Sequence, residues 1–335
     1  MSNFRKRQLA AAQRSRTVFG RRPHMREEID MKRWIGFSVV LFILFPASLR
    51  AQLGMFTNEQ RIDVTREWKG ERFPDGRPKV PDDVLERLKN TTAEEAWGTI
   101  GMRGYRHQFE GGWKTINVKP GERLVGRVVT AVFMPQRPDM DAVIKDHAKQ
   151  EGRFGSGQNS WVIDTLVKGD VLVVDLFGKI KDGTIIGDNL GNSIMTKTGT
   201  GLVVDGAVRD PSGISEIEGF KVFARDFHPS FLTETTLMGW NLPIRIGDVT
   251  VLPGDIVLSD PDGLVFIPAH LADQVANDSE IVRLRDEWGH KMLREQKYAP
   301  GQVDGQWTPQ MIEEFNKYAA EKNSKVRINP PPGKK

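Results

Sequence analysis

The sequence predicts an α/β or α+β single domain with helical appendages at both ends. Two apolar β-rich runs, 171–176 (VLVVDL) and 201–205 (GLVVD), stand apart with room for a helix between them, the pattern of buried parallel strands. Short strand-like segments punctuated by Gly and Pro follow between Pro243 and Ile267. From His270 onward, Leu271, Val275, Ile281, Val282, Leu284, Trp288 and Leu293 fall near helical spacing.

The chain has 335 residues, no cysteine and a formal charge of +4. Its length allows one or two domains with a substantial core. The lack of cysteine excludes a disulfide framework, a thiolate nucleophile and a thiolate metal site. The charge is uneven: residues 1–51 hold 11 of the 48 Lys/Arg and 3 of the 44 Asp/Glu, leaving 37 basic and 41 acidic residues beyond them. The basic balance belongs to the leader. A basic arm could bind nucleic acid; the plainer reading, and the one expected here, is that this arm is never part of the mature protein, so no nucleic-acid partner is expected.

Met31 opens MKRWIGFSVVLFILFPASLRAQ. Lys32 and Arg33 form a charged start, Trp34–Phe45 is apolar, and 49–51 (LRA) resembles a cleavage site before Gln52, as in a secretory signal peptide. The apolar run is short for a membrane span. The expected location is therefore periplasmic or secreted, with an uncleaved membrane-anchoring leader as the alternative. Residues 1–30 precede this plausible start and read as an over-long gene model or an unusually long charged region.

Residues 52–119 form an N-terminal extension, polar at first. Pro81–Lys89 reads as a helix opened by proline and acids, and 92–95 (TAEE) as a second helix cap, making a lid or a packing arm. Residues 124–133 (LVGRVVTAVF) read as a strand, 139–151 as a loop or helix, and 160–167 as a helix. Arg153–Ser160 is Gly-rich but carries no dinucleotide fingerprint. After VLVVDL come a Gly-rich turn, a helix over 192–198, and strands at 202–205, 220–224, 243–246, 249–251, 256–259 and 264–267. The C-terminal extension, 286–335, is helical and ends in a Pro-rich tail, 329–335, expected to be disordered.

The stretch GDNLGNSIMTKTGTGLVVDGAVRD, 187–210, carries the chemistry. It places Asp188 in the Gly-rich turn before the helix and strand, and Arg209 with Asp210 after them. One helix and one strand between the two loops let them meet at one sheet edge. Two carboxylates and a guanidinium there suit a hard divalent cation and a small carboxylate ligand. Each piece also has a plainer reading. Asp188 alone is a turn residue, Arg209–Asp210 a surface ion pair, and Asp205-Gly206 a turn shaping the loop. Arg225 and Asp226 are expected to pair, His228 to make a structural hydrogen bond or donate a proton, and Asn192 to cap or touch substrate. His107, His147, His270 and His290 show no metal-ligand spacing.

Five segments in order, VLVVDL, GDNLG, GLVVDGAVRD, FKVFARDFHPS and LPIRIGDVTVLPGDIVLSDPDGLVFIP, resemble the RraA-like family over roughly 120–285. That family includes the regulator of ribonuclease E activity A and class II 4-hydroxy-4-methyl-2-oxoglutarate aldolases. The resemblance implies a ββα sandwich of the swivelling-domain type, assembled as a trimer or a dimer of trimers (a hexamer) with sites between subunits. It implies that Asp210 holds Mg2+ or Mn2+ with Asp188 in support, and that Arg209 binds a pyruvyl group. Gly187 and the loop Asn189-Leu190-Gly191 would bind the substrate carboxylate. Asp286 or Glu287 could serve as the acid that aldolases take from a neighbouring subunit.

The expected activity is a metal-dependent lyase cleaving 4-hydroxy-2-oxo acids or decarboxylating oxaloacetate through a pyruvate enolate. A Schiff-base route through Lys179, Lys181, Lys197 or Lys221 lacks an apolar pocket. The alternatives are a non-catalytic binding or regulatory protein, disfavoured by the export signal, and an idle periplasmic scaffold.

Overall fold

Why the helical arm at the N-terminus exists is visible in its caps and its buried charges. The structure, a computed structural model, describes residues 56–329 except 154 and 156. The expected leader, and all of the expected tail but Asn329, lie outside these residues. Helix α1 (Asn58–Val64) opens on a Thr57–Gln60 capping box, within a region the sequence reads only as polar. Helices α2 (Asp82–Leu88) and α3 (Ala93–Gly101) match the expected pair. Thr92 caps α3 reciprocally: Glu95 N donates to Thr92 Oγ1 at 3.1 Å, and Thr92 N donates to Glu95 Oε2 at 2.8 Å. The arm is a packing element. Arg61 Nε reaches Asn241 O at 2.6 Å, and the buried Arg77 pairs with Asp170 at 3.1 Å.

Two short strands follow, β1 (Phe109–Glu110) and β2 (Lys114–Ile116). Then come β3 (Val125–Pro135), α4 (Pro138–Gln150), α5 (Gln158–Ile163), β4 (Asp170–Thr184), α6 (Asp188–Thr198), β5 (Gly201–Val208), α7 (Pro211–Ser215) and β6 (Lys221–Phe227). Strands β3, β4, β5 and β6 are neighbours and parallel. Both faces of β3 and β5 are buried, one under helices and the other under a second layer. Alternate residues feed two cores. Leu172, Val174, Leu202, Val204 and Val222 meet Ile144, Trp161, Ile194 and Ile214 of the helices. Val171, Val173, Val203 and Phe223 meet the opposite layer.

That layer contains β8 (Ile244–Ile246) and β9 (Val249–Val251), a hairpin whose Ile244, Ile246, Val249 and Val251 pack on the sheet. Strand β7 (Thr235–Trp240), which no sequence pattern announces, pairs antiparallel with the end of β3. Strands β10 (Ile256–Asp260) and β11 (Gly263–Ile267) form an antiparallel pair joined to β3 through β10. The strand order is β1-β11-β10-β3-β4-β5-β6-β2, so the N-terminal extension supplies both outer strands of that path.

A 3-10 turn at Ala269–Leu271 leads into α8 (Ala272–Arg294). Its first half packs on α2 and α3 through Val275 and Ala276. Its second half joins α9 (Pro300–Val303) and α10 (Pro309–Glu321) around Trp288, Trp307 and Phe315. The Trp288 and Trp307 ring centres lie 4.6 Å apart.

Several local expectations are corrected. The helix expected over 160–167 spans Gln158–Ile163, because Leu166 onward turns into β4. The strand expected to stop at Leu176 continues to Thr184, with register slips against β5 after Asp175 and after Lys179. The expected turn at Asp205-Gly206 lies inside β5.

Candidate active site

The parallel ladder delivers both loops to one corner. Beyond β4, Ile185 N donates to Ala207 O at 2.9 Å; beyond β5, Arg209 N donates to Ile186 O at 3.0 Å. These bonds lace the segment entering α6 to the segment leaving β5. In open parallel sheets, the carboxyl ends of the strands are where ligands bind.

Gly187 is the N-cap of α6 at φ −122°, ψ −161°, a conformation open to any residue. Its role is close approach. A Cβ there would stand 2.7 Å from Asp210 Oδ2 and 3.0 Å from Arg209 Cζ. Asp188, the first helical residue, is similarly near: a Cβ on Gly213 would lie 3.0 Å from Asp188 Cβ. Gly213 is three residues past Asp210, so both acids border the same corner.

Asp210 adopts left-handed φ 54° and caps α7, with Ile214 N donating to its backbone oxygen at 2.9 Å. Short polar residues tolerate this conformation best. The turn folds the Asp210 carboxylate back onto its neighbour: Arg209 Nη1 donates to Asp210 Oδ2 at 2.6 Å. Both side chains are partly open to solvent, at 30% and 45% relative exposure. Phe231 flanks Arg209, with Cζ 5.1 Å from the ring centre. No spacing or composition signal marks Phe231 in the sequence.

The segment expected as a loop, Asn189-Leu190-Gly191, is the first turn of α6. Gly191 N donates to Gly187 O at 2.9 Å, closing that turn. The first N–H groups of a helix have no intrahelical acceptor, and Gly187 offers no capping side chain. The result is a helix N-terminus suited to an anion. Asn192 is exposed and donates from Nδ2 to Asp188 O at 3.1 Å, holding the same turn.

Other candidates resolve differently. His228 Nδ1 lies 2.9 Å from Ser230 Oγ, the expected structural bond. Arg225 and Asp226 do not pair. Arg225 Nε meets Asp205 Oδ1 at 2.6 Å and its Nη2 meets Glu110 Oε1 at 2.6 Å, while Asp226 takes Lys114 at 2.5 Å. Adjacent strand residues face opposite sides, which separates the expected pair. Burial pushes the Asp175 carboxyl up, opposed by the N–H groups of Phe177 and Arg245. Lys179 and Lys221 are tied to Glu234 and Glu122 at 3.8 and 3.2 Å. Glu287 accepts from Tyr318 Oη at 3.2 Å within its own chain.

Among the described residues, no three His, Cys, Asp or Glu side chains gather into a metal-holding group. Asp188 and Asp210 still suit Mg2+, which takes one or two carboxylates and keeps several waters. Their partial exposure leaves room for that water.

The family described as RraA-like (Aldolase/RraA) matches residues 83–266. The chain belongs to this family. Among curated relatives, it is 28% identical over 209 residues to the protein DlpA of Legionella pneumophila, covering 61% of this chain and 31% of that protein. It is 32% identical over 138 residues to a protein named putative 4-hydroxy-4-methyl-2-oxoglutarate aldolase from Halalkalibacterium halodurans, covering 40% of this chain and 65% of that protein. The chain thus spans about a third of the first relative and just under two thirds of the second. Its fold matches the crystal structure of Streptomyces coelicolor RraAS2, an unusual member of the RNase ES inhibitor RraA family, with TM-score 0.54 and 25% identity, over 64% of this chain and 99% of that one.

Proposed function

We propose that this chain is a divalent-metal lyase that cleaves 4-hydroxy-2-oxo acids, or decarboxylates oxaloacetate, to release pyruvate. The observation that carries the reading is the approach of Gly187 to the Arg209–Asp210 pair, with Asp188 at the next position. Asp210 and Asp188 would hold Mg2+ or Mn2+. A cation bound there would supply a Lewis acid that polarises the 2-oxo carbonyl.

The chain's own groups do the rest. Arg209 presents a planar fork that a carboxylate matches in two bonds, an orientation a Lys ammonium does not impose. The N–H groups of Asp188, Asn189 and Leu190 at the start of α6 receive a carboxylate oxygen. Phe231 lies over the guanidinium, its ring centre 5.1 Å from Cζ.

The protein is further proposed to act after export and to assemble as a trimer or a dimer of trimers. N-terminal sequencing of the protein recovered from cell fractions tests the first, and light scattering the second.

A non-catalytic binding protein is the competing reading. It is favoured by one observation: the Arg209–Asp210 pair closes on itself at 2.6 Å, as a surface ion pair does. A screen of 4-hydroxy-2-oxo acids and oxaloacetate with added Mg2+ or Mn2+, coupled to pyruvate detection, separates the two. Pyruvate release that EDTA abolishes supports the lyase. No release from any of these acids supports the binding protein.

A further inference from the structure

Val208 and Phe227 are register partners on parallel strands, and both pack on the helix-covered core. His228 N donates to Val208 O at 3.1 Å, carrying the ladder one step further. Arg209 and His228 follow this pair directly, so their backbones are neighbours. They stand next to each other at the carboxyl edge of the sheet. The same segment carries Phe231 onto the Arg209 guanidinium.

The imidazole is held in one state. Its Nδ1 accepts the Ser230 N–H at 3.2 Å and lies 2.9 Å from Ser230 Oγ. Ser230 is itself fixed from β4: Asp182 N donates to Ser230 Oγ at 2.7 Å, and Thr184 Oγ1 donates to Ser230 O at 2.5 Å. That strand leads straight into Asp188. A ring nitrogen that accepts a backbone N–H carries no proton of its own. Nε2 is then the ring nitrogen left to carry a hydrogen.

We infer that His228 is a hydrogen-bond donor to the bound 2-oxo acid, its Nε2–H meeting the 2-oxo oxygen while Arg209 holds the adjacent carboxylate. This rests on the lyase reading. No proton leaves the ring. When oxaloacetate loses CO2, the C3–C4 electron pair moves into the C2–C3 bond and charge gathers on the 2-oxo oxygen; in the cleavage of a 4-hydroxy acid the same pair moves while the 4-hydroxyl proton passes to water and that carbon leaves as a carbonyl. The hydrogen bond strengthens at that moment, so it acts on kcat more than on KM.

Two substitutions separate this from a structural role. His228→Asn keeps an acceptor where Nδ1 stands and removes the donor. His228→Gln keeps an N–H where Nε2 stands and removes the acceptor. The probe is deuterium exchange at C3 of pyruvate in D2O with Mg2+, beside a melting curve for each variant. The expected result is a loss of about 100-fold in kcat for His228→Asn, with KM little changed, and most activity kept by His228→Gln. A structural role gives the reverse order, and equal loss in both variants means that the fold needs the whole ring; either result overturns the inference. Nitrogen NMR of the unliganded protein gives a second readout: a hydrogen on Nε2 with Nδ1 as acceptor is expected, and a neutral ring with its hydrogen on Nδ1 overturns the assignment. Wild-type exchange with His228→Asn unimpaired sinks this inference alone. No exchange in wild type sinks the lyase reading and this inference with it.

Discussion

Gly187 and Asp210 approach so closely that a Cβ on the first would stand 2.7 Å from a carboxylate oxygen of the second. The atoms a methyl group would meet belong to the Asp210 and Arg209 side chains and not to backbone, and those side chains can swing aside. Backbone strain is absent, because φ −122° suits any residue. Gly187→Ala should therefore fold with a melting temperature within a few degrees of wild type. Its pyruvate-forming activity should fall by ~100-fold, the scale of a misplaced reacting group. Full activity with displaced side chains would mean that their position is not used.

The buried pair between the N-terminal arm and the sheet makes a second prediction, this time about stability. Arg77 and Asp170 side chains are 2% and 0% exposed, joined at 3.1 and 3.3 Å. Removing one partner strands a buried charge, at a cost of about 3–5 kcal/mol. Arg77→Met should lower the urea midpoint accordingly. The double variant with Asp170→Asn should lose less than the sum of the two single losses. An additive double variant would show that the two groups act independently.

Asp255 sets a pH dependence. Burial pushes its carboxyl up from 3.8 to about 7, against the N–H groups of Leu252 and Ala269. The unfolded chain gives up this proton near the lower value and the fold near the higher one. Between them the folded state holds more protons, so this group's contribution to stability falls as pH rises and levels off above about 7. Relative to Asp255→Asn, which has no proton to lose, wild type should lose roughly 4 kcal/mol across that window. Denaturant melts of both proteins at a series of pH values measure it. A constant difference would show that Asp255 is ionised throughout.

What the sequence disclosed follows from which forces decided each segment. Strands β3 to β6 are buried on both faces, so their runs are continuously apolar and β-branched and could be read directly. The meeting of residues 187–188 with 209–210 follows from one helix and one strand between them. The start of α6 was not readable. Asn189-Leu190-Gly191 carries a glycine that local preference assigns to a loop, yet packing demands it: a Cβ on Gly191 would lie 3.0 Å from Ile217 Cδ1 and 3.1 Å from a Phe220 ring carbon. Arg225 shows the converse. Sequence adjacency suggested Asp226, but strand alternation sends Arg225 across to Asp205. Arg209 and Asp210 do pair as neighbours, because Asp210 has left the strand in a left-handed turn.

Asp188, Arg209 and Asp210 are proposed to form a working metal and oxo-acid site. Asp210 is half exposed, and its ion pair with Arg209 is of the surface kind that contributes about 0–1 kcal/mol. Asp210→Ala should therefore leave the fold intact and remove the chemistry. The decisive measurement is pyruvate release from 4-hydroxy-2-oxo acids with added Mg2+, for wild type, wild type with EDTA, and Asp210→Ala. Turnover is expected in the first alone; undiminished turnover in Asp210→Ala would rule out the proposed site.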